Sequence, residues 1–239
     1  MPEWTAPALR RVAPPISLLR WRDAEIFAAW TYAERLHRGQ TRPKTKQPYI
    51  LHPFAVCKLL RRFNAPQVLL QAALLHDVLE DQGASLIKIA ERFSPAVADL
   101  VLECSRVTTP ADGPRHMRHQ MELQRMRTMS PAAQSLKLGD IACNAISIVR
   151  RDPSFARVYL PEKMDELALL CNPTIPALGH FARRVVLHAV RQLKPLSKPT
   201  PLQGPEALEL SAALDLMSIR SGTPYTQQQS SWAKALSPS

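Results

Sequence analysis

The stretch Ala72 to Asp81, AALLHDVLED, runs from apolar residues straight into a histidine and three carboxylates. A charged or metal-ligating side chain at the end of an apolar helix is costly unless it is paired or ligated. His76 and Asp77 therefore call for a partner. If residues 66–82 form one helix, Glu80 lies one turn beyond His76 and Asp81 one turn beyond Asp77, so the four polar groups form a compact patch. Carboxylates crowded in this way repel and resist ionisation unless a cation or cationic ligand neutralises them.

A second constellation lies in KLGDIACNAISIVR, Lys137 to Arg150. Lys137, Asp140, Asn144 and Ser147 fall at steps of three, four and three, a single polar stripe on a helix whose Leu138, Ile141, Ala145 and Ile148 form the opposite, buried side. A lone Asp in such a helix is more often a hydrogen-bonded core residue. A whole stripe with Lys, Asn and Ser argues instead for a ligand. The third piece is His52, which by itself reads as an ordinary histidine beside Pro53.

The elements that must position these residues are helical. Ile26, Phe27, Trp30, Ala33 and Leu36 recur at helical spacing with Asp23 as N-cap, and Gly39 marks the stop. GQTRPKTKQPY, residues 39–49, reads as a polar, basic loop, after which His52-Pro53 opens a helix with Ala55, Val56, Leu59 and Leu60 on its buried side. Pro66 begins a helix that is apolar nearly all round and so belongs at the centre of the fold, with Gly83 as its stop. Further helices are expected over 85–105, with a break at Pro95, then from His116 to Met129, Ser130-Pro131 to Arg151, Pro153 to Leu170 and Ile175 to Leu193. Residues 106–115 read as a loop. The expected organisation is an irregular leader at 1–22, one domain at 23–194, and a Pro/Ser/Gln-rich linker and flexible tail at 195–239. Within the tail, Leu208, Leu210, Leu214 and Met217 would suit a protein partner or the chain's own domain equally well.

Composition supports an all-α class: 7 Gly, 22 Pro, few aromatics, and an abundance of Ala, Leu and Arg, which lose little on entering a helix. There is no signal-peptide pattern and no apolar run of about 18 residues, so a cytoplasmic protein with no membrane role is expected. The four cysteines form no CxxC pair and read as reduced, half-buried thiols. A formal net charge of +11 would attract phosphate-rich partners without saying which. Much of it is dispersed, as in Arg61-Arg62, Arg150-Arg151 and Arg183-Arg184, and such pairs most often form a solvated face. No helix-turn-helix or aromatic stacking platform supports nucleic acid as the partner.

In order along the chain, His52, His76-Asp77 and Asp140 resemble the HD phosphohydrolase superfamily. GQTR (Gly39 to Arg42), PYILHP (Pro48 to Pro53), AALLHDVLED and KLGDIACN narrow the resemblance to the hydrolase domain of Rel/SpoT enzymes and to small stand-alone alarmone hydrolases, over roughly residues 24–170. The resemblance implies a bundle of about eight to ten helices holding one Mn²⁺, with Fe²⁺ or Zn²⁺ as alternatives, on His52, His76, Asp77 and Asp140. It further implies that Glu80 and Asp81 orient or deprotonate the attacking water and that Arg42 and Lys137 neutralise phosphate. Asn144 and Ser147 would then contact the nucleotide, and Lys44 and Lys46 are weaker phosphate candidates. The implied reaction is removal of the 3′-pyrophosphate from (p)ppGpp, without a synthetase activity, since too little chain follows residue 194 for that domain. Three departures stand out: Ile141 replaces an Arg of the family pattern, Gly139 an Ala and Gln82 the usual Thr. The rivals are a phosphatase acting on another 2′- or 3′-phosphorylated nucleotide such as NADPH, a non-catalytic nucleotide-binding scaffold, and a nucleic-acid binder.

Overall fold

In the computed structural model, residues 12–193 are described, and among them the chain is helical throughout apart from loops and one isolated β-bridge. The helices are α1 (Ile16–Arg20), α2 (Ala24–Leu36), α3 (Leu51–Arg62), α4 (Gln67–Leu75), α5 (Val78–Gln82), α6 (Leu86–Arg92), α7 (Pro95–Cys104), α8 (Arg115–Met126), α9 (Pro131–Arg151), α10 (Pro153–Leu169) and α11 (Pro176–Leu193), with a 3₁₀ turn at Pro110–Asp112. The expectations for the tail at 195–239 lie outside the described residues.

Local chemistry sets the helix starts. Asp23 accepts from the backbone N–H of Glu25 and Ile26 at 3.2 and 3.1 Å, Ser130 from Ala133 at 3.2 Å, and Asp152 from Phe155 at 3.1 Å. The last two caps are each followed by proline at the first helical position, where its missing N–H costs nothing. Gly83 closes α5 in the left-handed region at φ 58°.

The core is built around α3, α4 and α9. Helix α9 packs on α3, α4, α7, α10 and α11, and α4 packs on α2, α3, α7 and α9. Leu69 to Leu75 are all buried, as the all-round apolarity of that run requires. Gly139 sits where α9 crosses α3; a Cβ there would meet Val56 Cγ1 at 3.4 Å and Leu60 Cδ2 at 3.5 Å.

Three sequence expectations are corrected. The single helix over 66–82 is interrupted at His76-Asp77, leaving α4 and α5 as two segments. At the break Ser105 Oγ donates to the His76 carbonyl at 3.4 Å, while Asp81 N donates to the Asp77 carbonyl and restarts the ladder. The break expected at Pro95 is present: helices α6 and α7 are separate, each opened by its own serine cap, Ser85 and Ser94. The leader 1–22 is not irregular where described, since α1 forms within it and buries Leu18. The thiols are not half-buried: Cys57, Cys104 and Cys143 are buried and Cys171 is exposed.

Candidate active site

The break between α4 and α5 puts His76 and Asp77 at the mouth of the bundle, where they meet His52 from the first turn of α3 and Asp140 from the middle of α9. His52 Nε2 lies 3.0 Å from Asp140 Oδ1 and 3.8 Å from Asp77 Oδ2. His76 Nε2 lies 3.2 Å from Asp77 Oδ2 and 3.7 Å from Asp140 Oδ1. Both imidazoles are buried, at 5% and 4% exposure.

Two observations test whether these groups suit a cation. The ligating atoms of His52, His76 and Asp140 all lie within 4.8 Å of one another. His76 Nδ1 faces the Ala73 carbonyl at 2.8 Å, which assigns the proton to Nδ1 and leaves the Nε2 lone pair directed at the carboxylates, buried and without a hydrogen-bond partner. A lone pair facing two carboxylates is unfavourable unless a positive charge sits among them. The donor set of two nitrogens and carboxylate oxygens suits a first-row divalent ion.

The electrostatics agree. Burial lowers the His76 pKa, but Asp77 and Asp140 outweigh it and lift the metal-free imidazole to about 9. Burial works against ionisation of Asp140, yet the hydrogen bond with His52, the neighbouring His76 and the charge of Lys137 hold it well below the usual carboxylate range. Burial lowers Lys137 as well, and the nearby Asp140 and Glu166 more than reverse the effect. Its Nζ is 3.7 Å from Asp140 Oδ2.

The remaining residues singled out from the sequence are distributed around this centre. Arg42 donates to Asn144 Oδ1 at 2.7 Å, and Asn144 Nδ2 donates to Asp140 Oδ1 at 2.7 Å, so the stripe of α9 and the 39–49 loop form one network. Glu80 turns away from Asp81: its Oε2 accepts from Arg106 N at 3.0 Å, whereas Asp81 Oδ2 accepts from Gln40 Nε2 at 2.8 Å. Removal from water raises the Glu80 pKa, with Arg106 opposing. Ser147 Oγ is bonded back to the carbonyls of Cys143 and Asn144. Lys44 is exposed and pairs with Asp152 at 3.4 Å, and no contact joins it to the histidines. Lys46, at φ 57°, shapes the turn whose arms are bridged at Thr41 and Pro48.

Several neighbours carried no signal of their own in the sequence. Tyr49 OH donates to Asp77 Oδ2 at 2.8 Å, its ring lying against His37 and His52. His37, buried at the end of α2, lies 2.6 Å through Nδ1 from Gln40 Oε1, which also accepts from Gln82 Nε2 at 2.7 Å. From α10, the buried pair Lys163 and Glu166 faces Lys137. Only the i,i+3 spacing of the last pair was visible in the sequence.

A helical bundle carrying a His/His-Asp/Asp centre is the hallmark of one class, and the family comparison agrees. The HD domain model matches residues 29–151, just over half of the 239 residues, and the chain belongs to that family. It is 34% identical over 133 residues to human guanosine-3′,5′-bis(diphosphate) 3′-pyrophosphohydrolase MESH1, covering 54% of this chain and 73% of that protein. It is 30% identical over 157 residues to the probable GTP diphosphokinase RSH3 of Arabidopsis thaliana, covering 64% of this chain and only 22% of that much longer protein. The structure described as a metazoan ortholog of SpoT that hydrolyses ppGpp superposes with a TM-score of 0.61 at 23% identity, over 73% of this chain and 98% of the other, which shows the shared fold.

Proposed function

We propose that this chain is a metal-dependent phosphohydrolase that removes the 3′-pyrophosphate from ppGpp or pppGpp. Water supplies the oxygen, the bond between the 3′-linked phosphorus and its ribose oxygen breaks, and the products are GDP or GTP and pyrophosphate. The observation that carries the reading is the convergence of His52, His76, Asp77 and Asp140, with the His76 lone pair turned into the carboxylates. These residues would hold Mn²⁺, with Fe²⁺ or Zn²⁺ as substitutes. When bound, such an ion lowers the pKa of a coordinated water and polarises a phosphoryl oxygen.

The rest of the work falls to the chain. Glu80 and Asp81 orient the water and take its proton, burial raising the Glu80 pKa and so its basicity. Arg42 and Lys137 offset the phosphate charge, with Lys44 contributing at the entrance. Asn144 fixes Arg42 and Asp140 relative to each other, and Ser147 lines the nucleotide side. The setting we propose is the cytoplasm; no helix among the described residues is long and apolar enough to cross a membrane.

A second reading rests on Ile141, which stands buried where the family pattern carries Arg. That change would favour a different 2′- or 3′-phosphorylated nucleotide, such as NADPH, on the same centre. A non-catalytic scaffold fits less well, because a buried His/Asp cluster kept without an ion would be destabilising.

The test is hydrolysis of ppGpp, with NADPH alongside, by protein purified without chelator and assayed with Mn²⁺ and with EDTA. The expected outcome is Mn²⁺-dependent release of GDP and pyrophosphate, lost together with metal content in His76→Ala and Asp140→Ala. Glu80→Gln should keep the metal and lose turnover. Turnover of NADPH alone would reassign the substrate, and bound metal without turnover of either would overturn the reading.

A further inference from the structure

The polar stripe of α9 does not end at Ser147. Arg151 follows at the next step of four, on the same face as Lys137, Asp140 and Asn144. Its Nε donates to the Ser147 carbonyl at 3.3 Å, folding the long side chain back toward the start of the helix and toward Arg42. Arg42 reaches the same stripe from the opposite wall through Asn144.

The two guanidiniums feel each other. Burial and then the charge of Arg42 bring Arg151 down to about 10, an unusual value for arginine. Among the described residues neither is paired with a carboxylate. The adjacent Asp152 is committed elsewhere: it caps α10 at Phe155 N, accepts from Ser154 Oγ at 2.7 Å and pairs with Lys44. The next carboxylate on α10, Glu162, is engaged by both arms of Arg115. Partly buried like charges without a counter-charge are costly, and planar guanidiniums with free N–H groups are well shaped to share a phosphate.

Resting on the function proposed above, we propose that Arg151 and Arg42 form a second anion subsite, which takes the phosphate group on the end of the nucleotide remote from the scissile one. From Asp140 to Ser147 the helix rises about 10 Å at ~1.5 Å per residue, roughly the span of a nucleoside bearing a phosphate at each end. The site therefore selects nucleotides phosphorylated on both the 3′ and the 5′ oxygens, the 5′ group lying on Arg151.

The experiment compares the full-length wild type with Arg151→Ala in two measurements. GDP and guanosine are titrated calorimetrically, with Mn²⁺ and with EDTA. The wild type should prefer GDP by roughly 10- to 100-fold, about 1.4 to 2.8 kcal/mol. Arg151→Ala should lose most of that preference while its affinity for guanosine stays put and its melting midpoint does not fall. In kinetics, Arg151→Ala should raise KM for ppGpp at unchanged kcat and leave guanosine 3′-diphosphate, which lacks the 5′ group, unaffected. A variant that keeps the GDP preference, or that loses GDP and guanosine equally, overturns the subsite. Wild-type protein that prefers GDP but leaves ppGpp intact would instead overturn the substrate assignment.

Discussion

At the scale of single residues, the orientation of Gln40 decides how Asp81 is held. Gln40 Oε1 meets His37 Nδ1 and accepts from Gln82 Nε2, so the amide cannot flip, and its Nε2 must face the Asp81 carboxylate. Gln82, which departs from the family's Thr, thus has a place in the network. Gln40→Ala should lower kcat for ppGpp roughly 10-fold, about 1.4 kcal/mol, by leaving Asp81 unoriented. The bound metal, counted by elemental analysis, should remain at wild-type stoichiometry. Loss of metal together with rate would show that Gln40 supports the cation centre instead. Asp81 was singled out from its place beside Glu80, but its partner could not be, since Gln40 is 41 residues away and reaches it only through the fold.

At the scale of elements, α9 carries both the stripe and the helix crossing. Gly139 costs α9 on the order of 1 kcal/mol relative to Ala. A methyl group there would sit at ordinary contact distance from Val56 and Leu60, so the neighbours need not move. Gly139→Ala should therefore stabilise the protein by about 0.5–1 kcal/mol, a rise in melting midpoint of roughly 1–4 °C. An unchanged or lowered midpoint would mean that α3 and α9 cannot absorb the methyl. The helix spans were largely readable from caps and prolines. The α4–α5 break was not, because the apolar period runs through it; what ends α4 is the set of contacts around His76-Asp77, made by Ser105, Tyr49, His52 and Asp140 from four other segments.

At the scale of the whole molecule, a cation bound by α3, the α4–α5 break and α9 ties together segments far apart in the chain. A ligand that binds only the folded state stabilises it, by about 2.7 kcal/mol at a concentration 100 times its Kd. Mn²⁺ should raise the melting midpoint of the wild type and leave Asp140→Ala unmoved. The pH dependence has a definite sign. In EDTA, His76 is raised to about 9 in the folded chain against an ordinary value of 6.5, so its stabilising contribution is full below pH 6.5 and lost as pH climbs through 9. Since ligation needs the neutral imidazole, the Mn²⁺-induced shift should grow across that same window. A shift that shrinks with rising pH in thermal scans would count against His76 as a ligand.

What the sequence by itself determined is the helical class and most helix starts and stops, because caps and periodicity are local properties; His52, His76, Asp77 and Asp140 were singled out together only through the resemblance to a family motif. Tertiary structure alone decided that Glu80 and Asp81 are held by different loops, that Tyr49 donates to Asp77, and that Arg42 is tied to Asn144. The physical reason is that a side chain's role follows from which distant donors, acceptors and charges are brought against it. Those neighbours come from other helices, and no spacing along the chain encodes them.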